Sequence, residues 1–368
     1  MEKKLIVLYE EDKNNPTNTW SGTSHQLKEA LKKYFDVIFI NSSDPKALQL
    51  LKLVTKRIEK KTRSVLLKPL YEKIHKDLIN KKLKNYKDIP VLEISENVIV
   101  DNPFYLYRDM AYACYPYVLD KFKDDSNDYG HGMLSHVSSK ALEKRIENEK
   151  ILSTKAEKSF FMGNWVANKL KEIYPNMKDK FISVGGGLSK EFIDIDNKKD
   201  YAKKILFVGV DFKRKGGDLL IEAFKILKEK YDKDAELIIA GCDVETNFSG
   251  IRCVGKKTRE ELSKLFNEAS VFCMPSRFEA YGLVFIEALS YGLPIVSIDD
   301  YEMHYFVNDK NGYLIKNYDK EELALALHNA INNKEMMNYV RNRRSEVKDE
   351  HSWDNVAKKI FEKVNTNK

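Results

Sequence analysis

Four side chains stand where they could handle an anionic, hydroxyl-rich ligand: Glu279, Glu287, Arg214 and Lys215. The two glutamates lie in VFCMPSRFEAYGLVFIEALSYGLPIV (271–296). A buried strand there ends at Pro275, a short loop carries Glu279, and Gly282 lets the backbone approach a ligand closely as a helix begins. The free N–H groups of such a helix start suit a phosphate, with Ala280, Tyr281, Gly282 and Leu283 as its frame. Glu279 falls at the rim and Glu287 about a turn inside the helix, so the pair can take vicinal hydroxyls from two distances. The cations lie in ILFVGVDFKRKGGDLLIEAF (205–224), where a strand delivers Arg214 and Lys215 beside Gly216 and Gly217 at another helix start. That is chemistry for clamping a diphosphate. Taken singly, each residue also has a plain reading: a solvated loop acid, an acid near a helix dipole, two surface cations.

These residues need a scaffold that brings strand ends and helix starts to one edge, and the chain alternates accordingly. From 205 onward strand runs ILFVGV, ELIIAG, IRCVG, VFCMP and PIVSI alternate with helices expected from about Gly217 to Lys230, from Thr258 and from about Leu283. Such alternation implies parallel strands covered by helices. Thr258 and Glu261 spell a capping box, Asp319 caps a later helix, and Gly292 with Pro294 stops another. The first half opens with LIVLY, a loop, a helix near Ser24 and VIFI, a strand–helix–strand unit. VLEIS and NVIVD, a tyrosine-rich stretch, a helix from about Ser138 to Glu149, apolar pieces at 159–170 and FISVGGG follow. The polar run at 194–204 reads as a linker, and the final helix, about 352–364, carries Trp353, Val356, Ile360, Phe361 and Val364 on one docking face.

At 368 residues the chain has room for two domains, and 43% hydrophobic with 32% charged residues excludes general disorder and a polytopic membrane protein. No apolar run approaches the ~20 residues of a membrane helix, and the opening MEKKLIVLYEE is too short for a signal core, so a cytosolic location is expected. Cys114, Cys242, Cys253 and Cys273 lack CxxC spacing and read as buried thiols; the seven histidines offer no metal-ligand spacing. The net charge of +7 concentrates in residues 46–88, which hold fourteen Lys or Arg against four acids. Leu48, Leu51, Val54, Ile58, Val65, Leu66, Leu70, Ile74 and Leu78 recur there at helical spacing, so the segment reads as basic amphipathic helices. They form either a solvated face or a docking face for an anionic membrane or acidic acceptor; no motif accompanies the charge to indicate nucleic acid.

The whole of 271–296 resembles the E-x7-E signature of retaining glycosyltransferases of family 4, with seven residues between Glu279 and Glu287, PSRFEAYGL before and EALSYGLPIV after. Lys215 matches the family's diphosphate lysine; the usual arginine position holds Val210, and Arg214 is the expected substitute. Trp20-Ser21-Gly22-Thr23 resembles the family's N-terminal glycine loop, and His131, or His136, is a candidate for its first-domain histidine. The resemblance implies the GT-B fold, an α/β architecture of two Rossmann-like domains with parallel sheets facing a cleft. It implies an acceptor domain at 1–198, a nucleotide-sugar domain at 199–350 and a helix at 351–368 crossing back. The implied reaction moves a hexose from a UDP- or GDP-sugar to a glycan or glycoconjugate hydroxyl, with retention and with no metal or other cofactor. Catalytic roles fall to Glu279, Lys215 and Arg214, and donor binding to Glu287, Gly22, 280–283 and His131. Asp194 and Asp196 spell the D-x-D metal motif of the GT-A fold, but they sit in the expected linker and read as coincidence. A GT-B phosphorylase or epimerase and a non-catalytic partner of another transferase share these features. A surface-glycan role at the inner face of a membrane is the expectation with which the basic helices are associated, since they suit an anionic surface.

Overall fold

Among the described residues the apolar runs become twelve strands in two six-stranded sheets, every pairing parallel. The structure, a computed structural model, describes residues 3–62, 68–122, 138–188 and 202–366. The first sheet contains β1 (Lys4–Tyr9), β2 (Asp36–Asn41), β3 (Val91–Ile94), β4 (Phe104–Arg108), β5 (Lys158–Phe161) and β6 (Phe181–Ser183), in the order β2-β1-β3-β4-β5-β6. The second contains β7 (Lys204–Val208), β8 (Glu236–Ala240), β9 (Ile251–Gly255), β10 (Val271–Cys273), β11 (Ile295–Ile298) and β12 (Gly312–Ile315), in the order β12-β11-β10-β7-β8-β9. Helices cover both faces, so the central strands read as unbroken apolar runs: Leu5 to Leu8 and Ile205 to Phe207 are wholly buried.

The chain forms two compact units, Met1–Gly187 with Trp353–Lys368, and Leu188–Ser352. The breaks fall at 187/188 and 352/353 where the sequence placed them at 198/199 and 350/351. Residues 194–201 of the expected linker lie outside the described residues, and Lys204 already belongs to β7. The last helix, Trp353–Asn365, packs within the first unit: Trp353, Val356 and Ile360 are buried, and the Phe361 ring meets Tyr34 and Phe35 at 5.6 and 5.1 Å.

In each sheet one strand marks the place where the chain reverses its direction of build. β1 pairs with β2 on one side and β3 on the other; β7 pairs with β8 on one side and β10 on the other. Crevices open outside the carboxyl ends of strands at such points. The loops that leave β7 and β10 carry Arg214, Lys215 and Glu279, and the loop that leaves β1 carries Gly22.

Most expected elements form, and the capping signals hold. Thr258 and Glu261 make a complete capping box, and Asp319 accepts the Glu322 N–H at 2.8 Å. The helix at Gly217 is α-helical to Ile226 and continues as a π turn, Leu227–Tyr231, so that helical chain reaches the expected end near Lys230. NVIVD is not a strand. Val98 and Val100 instead drop into the core beside Ile79 and Leu83, and the strand is Phe104–Arg108 within the tyrosine-rich run. Tyr107 is tolerated there because its hydroxyl donates to the Gly185 carbonyl at 2.9 Å. The helix at Ser138 extends to Lys155, and all four cysteines are free, three buried and Cys253 half-buried.

The basic helices form at Lys46–Thr62 and Lys68–Leu83, but their apolar positions divide. Leu48, Ile79 and Leu83 are buried, whereas Val54, Leu70 and Ile74 face solvent together with Leu50 at 63% and Leu53 at 59% exposure. Polar groups fill part of the inward face: His75 Nδ1 lies 2.5 Å from Asp44 Oδ1, and the Tyr71 hydroxyl donates to Asp44 Oδ2 at 2.7 Å. Val65 and Leu66 lie outside the described residues.

Candidate active site

Three of the four leading residues meet. The turn after β7 is closed by Lys215 N–H to Asp211 O at 3.0 Å and Gly217 N–H to Phe212 O at 2.8 Å, and it ends at Gly216, which caps the helix Gly217–Ile226 with φ +75°. A side chain at Gly216 is excluded twice, by that left-handed backbone and by the Pro275 carbonyl oxygen, 2.0 Å from where a Cβ would stand. The loop after β10 therefore lies directly on the turn. From it Glu279 Oε1 accepts the Lys215 ammonium at 2.9 Å and the Arg214 guanidinium at 3.3 Å, with the Ser276 hydroxyl at 3.3 Å. The Glu279 side chain is 12% exposed. Burial pushes its carboxyl up, but the charges of Lys215 and Arg214 and their hydrogen bonds outweigh burial and hold it below the ordinary carboxylate range. Two cations thus share one carboxylate at the carboxyl ends of adjacent strands.

Arg214 is positioned for this by Asp211, which takes its Nε at 3.1 Å, and by the Phe278 carbonyl, which accepts Nη1 at 2.6 Å. Val210, in the position where the family-like pattern has an arginine, is 70% exposed. Arg277 was not singled out from the sequence. Its guanidinium grips Asp218 through both nitrogens at 2.7 and 3.1 Å and also donates to the Lys213 carbonyl at 2.6 Å, while its N–H donates to the Arg214 carbonyl at 2.9 Å. It stitches the two loops together. The available signal was an arginine two residues before Glu279 and an acid at the other helix start, too common a pattern to interpret without the contact.

The other candidates are placed less centrally. Glu287, on the helix Leu283–Ser290, accepts Arg259 Nη1 at 2.7 Å rather than either loop cation. Gly282 caps that helix with φ +92°, as its position before a helix required. Ala280 and Leu283 are half-buried; Tyr281 is buried with its ring edge-on to Phe306 at 5.2 Å, so its side chain serves the core. Gly22, in the first unit, caps the helix Thr23–Leu31 with φ +87° after Trp20 and Ser21 at φ 49° and 56°, three successive left-handed residues. His131, His136, Asp194 and Asp196 lie outside the described residues. Among the described residues no group of three His, Cys, Asp or Glu side chains could hold a metal, and no helix is long and apolar enough to cross a membrane.

Two units of parallel α/β sheet, each with a reversal point, are the architecture of the GT-B fold. The crystal structure of WaaG, a glycosyltransferase involved in lipopolysaccharide biosynthesis, superposes with a TM-score of 0.66 over 98% of this chain and 99% of that one at 18% identity. Anabaena HepE in complex with UDP and glucose gives 0.64 over the full length of both at 12% identity. These likenesses show the fold. In sequence, residues 189–347 match the model of the glycosyl transferases group 1 family. An uncharacterized glycosyltransferase of Methanocaldococcus jannaschii is 27% identical over 223 residues, 58% of this chain and 62% of that protein. Escherichia coli lipopolysaccharide glucosyltransferase WaaG is 29% identical over 143 residues, 36% of this chain and 38% of that one. The chain thus spans less than two thirds of the length of these curated relatives.

Proposed function

We propose that this protein transfers a hexose from a UDP- or GDP-sugar to an acceptor hydroxyl on a glycan or glycoconjugate, with retention of anomeric configuration and without a metal. The observation that carries the reading is the Glu279 carboxylate held by Lys215 and Arg214 at 2.9 and 3.3 Å, at the crevice where β7 and β10 end. Half-buried cations sharing one carboxylate are suited to exchange part of that partnership for a diphosphate. As the glycosidic carbon–oxygen bond breaks, its electron pair passes to the diphosphate, where Lys215 and Arg214 stabilise the growing charge. The acceptor oxygen bonds the anomeric carbon from the same face, and its proton passes to the departing phosphate oxygen. Glu279, with its cations engaged by phosphate, accepts donor-sugar hydroxyls; Glu287 takes the ribose in competition with Arg259. The reach of Arg214 to Glu279 supports it as the substitute for the arginine replaced by Val210.

A surface-glycan role is supported by a lipopolysaccharide glucosyltransferase among the relatives, and a UDP-linked donor by the complex of HepE with UDP and glucose. The exposed Leu50, Leu53, Val54, Leu70 and Ile74 on lysine-rich helices support peripheral docking on an anionic membrane, at its cytoplasmic face. The test is turnover of UDP- and GDP-hexoses with Glu279→Ala, read as nucleoside diphosphate release. Transfer is expected to be lost while the thermal transition stays near wild type, and full activity in the variant would overturn the assignment. Activity is expected to survive EDTA; loss that manganese restores would return Asp194 and Asp196 to consideration. The exposed Val210 also suits a non-catalytic nucleotide-sugar-binding partner, a reading that donor hydrolysis or transfer by the purified protein rejects.

A further inference from the structure

The first unit holds a cavity of about 180 Å3 at the carboxyl ends of β3 and β4. We propose that it is a pocket for a single neutral pyranose, the terminal sugar of the acceptor; the pocket deepens the transferase reading and its identification as an acceptor site rests on it. The floor is an ion pair, Arg108 Nη1 to Glu149 Oε1 at 3.0 Å, with Arg108 5% and Glu149 7% exposed. Glu149 is further held by the Ala113 N–H at 3.1 Å on its second oxygen. Arg108 is not saturated: Nε and Nη2, the parallel fork on the other side of the guanidinium, are buried and meet no acceptor among the described residues. A buried guanidinium with two uncommitted donors is costly to keep unless an acceptor comes to it.

Asp109 lines the pocket beside Arg108, and Tyr112 and Tyr115, half-buried with rings 6.0 Å apart, form an aromatic wall. Asn97 and Ser95 stand exposed at the mouth, Ser95 with a left-handed φ of 58°. This lining offers donors, acceptors and an aromatic face within a small volume. Adjacent hydroxyls of a sugar need donors and acceptors together, and the C–H face of the ring suits a tyrosine. Asp109 and Glu149 stand against Arg108 in the lining and Arg145 over the Tyr112 ring at 5.5 Å, so the pocket carries no net positive charge to draw a phosphate or carboxylate. The volume, well under the ~300–1,000 Å3 of pockets for drug-sized ligands, restricts the occupant to one ring.

The experiment is saturation-transfer NMR on the full chain with methyl glycosides of glucose, galactose, mannose and N-acetylglucosamine. Nucleoside diphosphate binding is followed in parallel by thermal shift. At least one glycoside is expected to bind, and Asp109→Asn and the mouth variant Asn97→Ala are each expected to weaken it about tenfold, the loss of one hydrogen bond in a confined site. UDP or GDP shifts should stay at the wild-type value in both variants, which also shows that they fold. Absence of binding by all four glycosides, or equal binding by wild type and both variants, would overturn the pocket. If instead glycoside binding depends on Asp109 and Asn97 while nucleotide binding and transfer are absent, the transferase reading fails and the sugar pocket stands. Transfer that proceeds with unchanged acceptor KM in both variants would sink the pocket and leave the transferase reading intact.

Discussion

The two sheets reverse their build in the same way, at β1/β3 and at β7/β10, yet the chemistry gathered at the two carboxyl edges differs. At the second edge like charges converge: Lys215 and Arg214 share one acid, Glu279, so an incoming anion gains two cations at once. At the first edge acids predominate. Asp44 takes His75 and Tyr71, Glu96 accepts the Glu10 N–H at 2.9 Å and the Ser42 hydroxyl at 2.5 Å, and the cavity beside them mixes Arg108 with Asp109 and Glu149. On the functions proposed above, one topology furnishes an edge for a diphosphate and another for neutral hydroxyls. Strand order fixes where a crevice forms; the loop residues fix what it can hold.

The comparison breaks most sharply at Gly216. Gly216→Val places a β-branched side chain in a left-handed position against the Pro275 carbonyl, and is expected to cost about 3 kcal/mol or more and to separate the two loops. A melting temperature within a few degrees of wild type would show that the close approach is not required. Next in size, Lys215→Ala is expected to lower UDP or GDP affinity by about 2 kcal/mol or more, roughly 30-fold. Arg214→Ala, whose group is also anchored to Asp211 and a carbonyl, is expected to cost about tenfold. Calorimetry giving the reverse order would make Arg214 the principal clamp.

Smaller effects are expected in the first unit. Leu50→Ser with Leu53→Ser, both exposed, should leave stability unchanged while reducing partition onto phosphatidylglycerol vesicles in a sedimentation assay; unaltered partition would remove the leucines from the docking face. The smallest concerns Glu93 on β3, wholly buried with Oε1 unpartnered among the described residues. Burial, then repulsion from Glu96, raises its carboxyl pKa well above the ordinary range. The folded state therefore holds this proton more tightly than the unfolded chain, so the group's contribution to stability falls as pH rises from the ordinary carboxylate range toward the raised folded pKa. Glu93→Gln lacks that titration. Urea melts near pH 5 and near pH 8 are expected to show wild type losing ground to the variant; a constant difference would mean that Glu93 ionises normally.

Much of the second unit could be read directly along the chain. Its central strands ILFV (205–208) and LIIA (237–240) are unbroken apolar runs ended by Gly209 and Gly241, and Thr258–Glu261 and Asp319 mark helix starts through contacts only three residues apart. The first unit was harder because its signals are ambiguous locally. Val98 and Val100 have strand-like composition but pack as irregular chain, while β4 lay concealed among tyrosines whose burial depends on partners such as Gly185, far away in sequence. In the basic helices, periodicity indicated amphipathic character but not which apolar side faced inward; Asp44 decided that by drawing His75 and Tyr71 toward it.

Residue types and short spacings by themselves determined the alternation of strand and helix, the glycines at helix starts, and the candidacy of Glu279, Glu287, Lys215 and Arg214, because these features depend on neighbours a few residues apart. Tertiary structure decided their partnerships. It placed β7 beside β10, brought residues 214–215 onto Glu279, assigned Glu287 to Arg259, and made Arg277 the tie between loops. It also enclosed Arg108 and Glu149, forty-one positions apart, beneath one cavity. Such pairings are set by strand order and by the burial of charge, which depend on the packed chain as a whole.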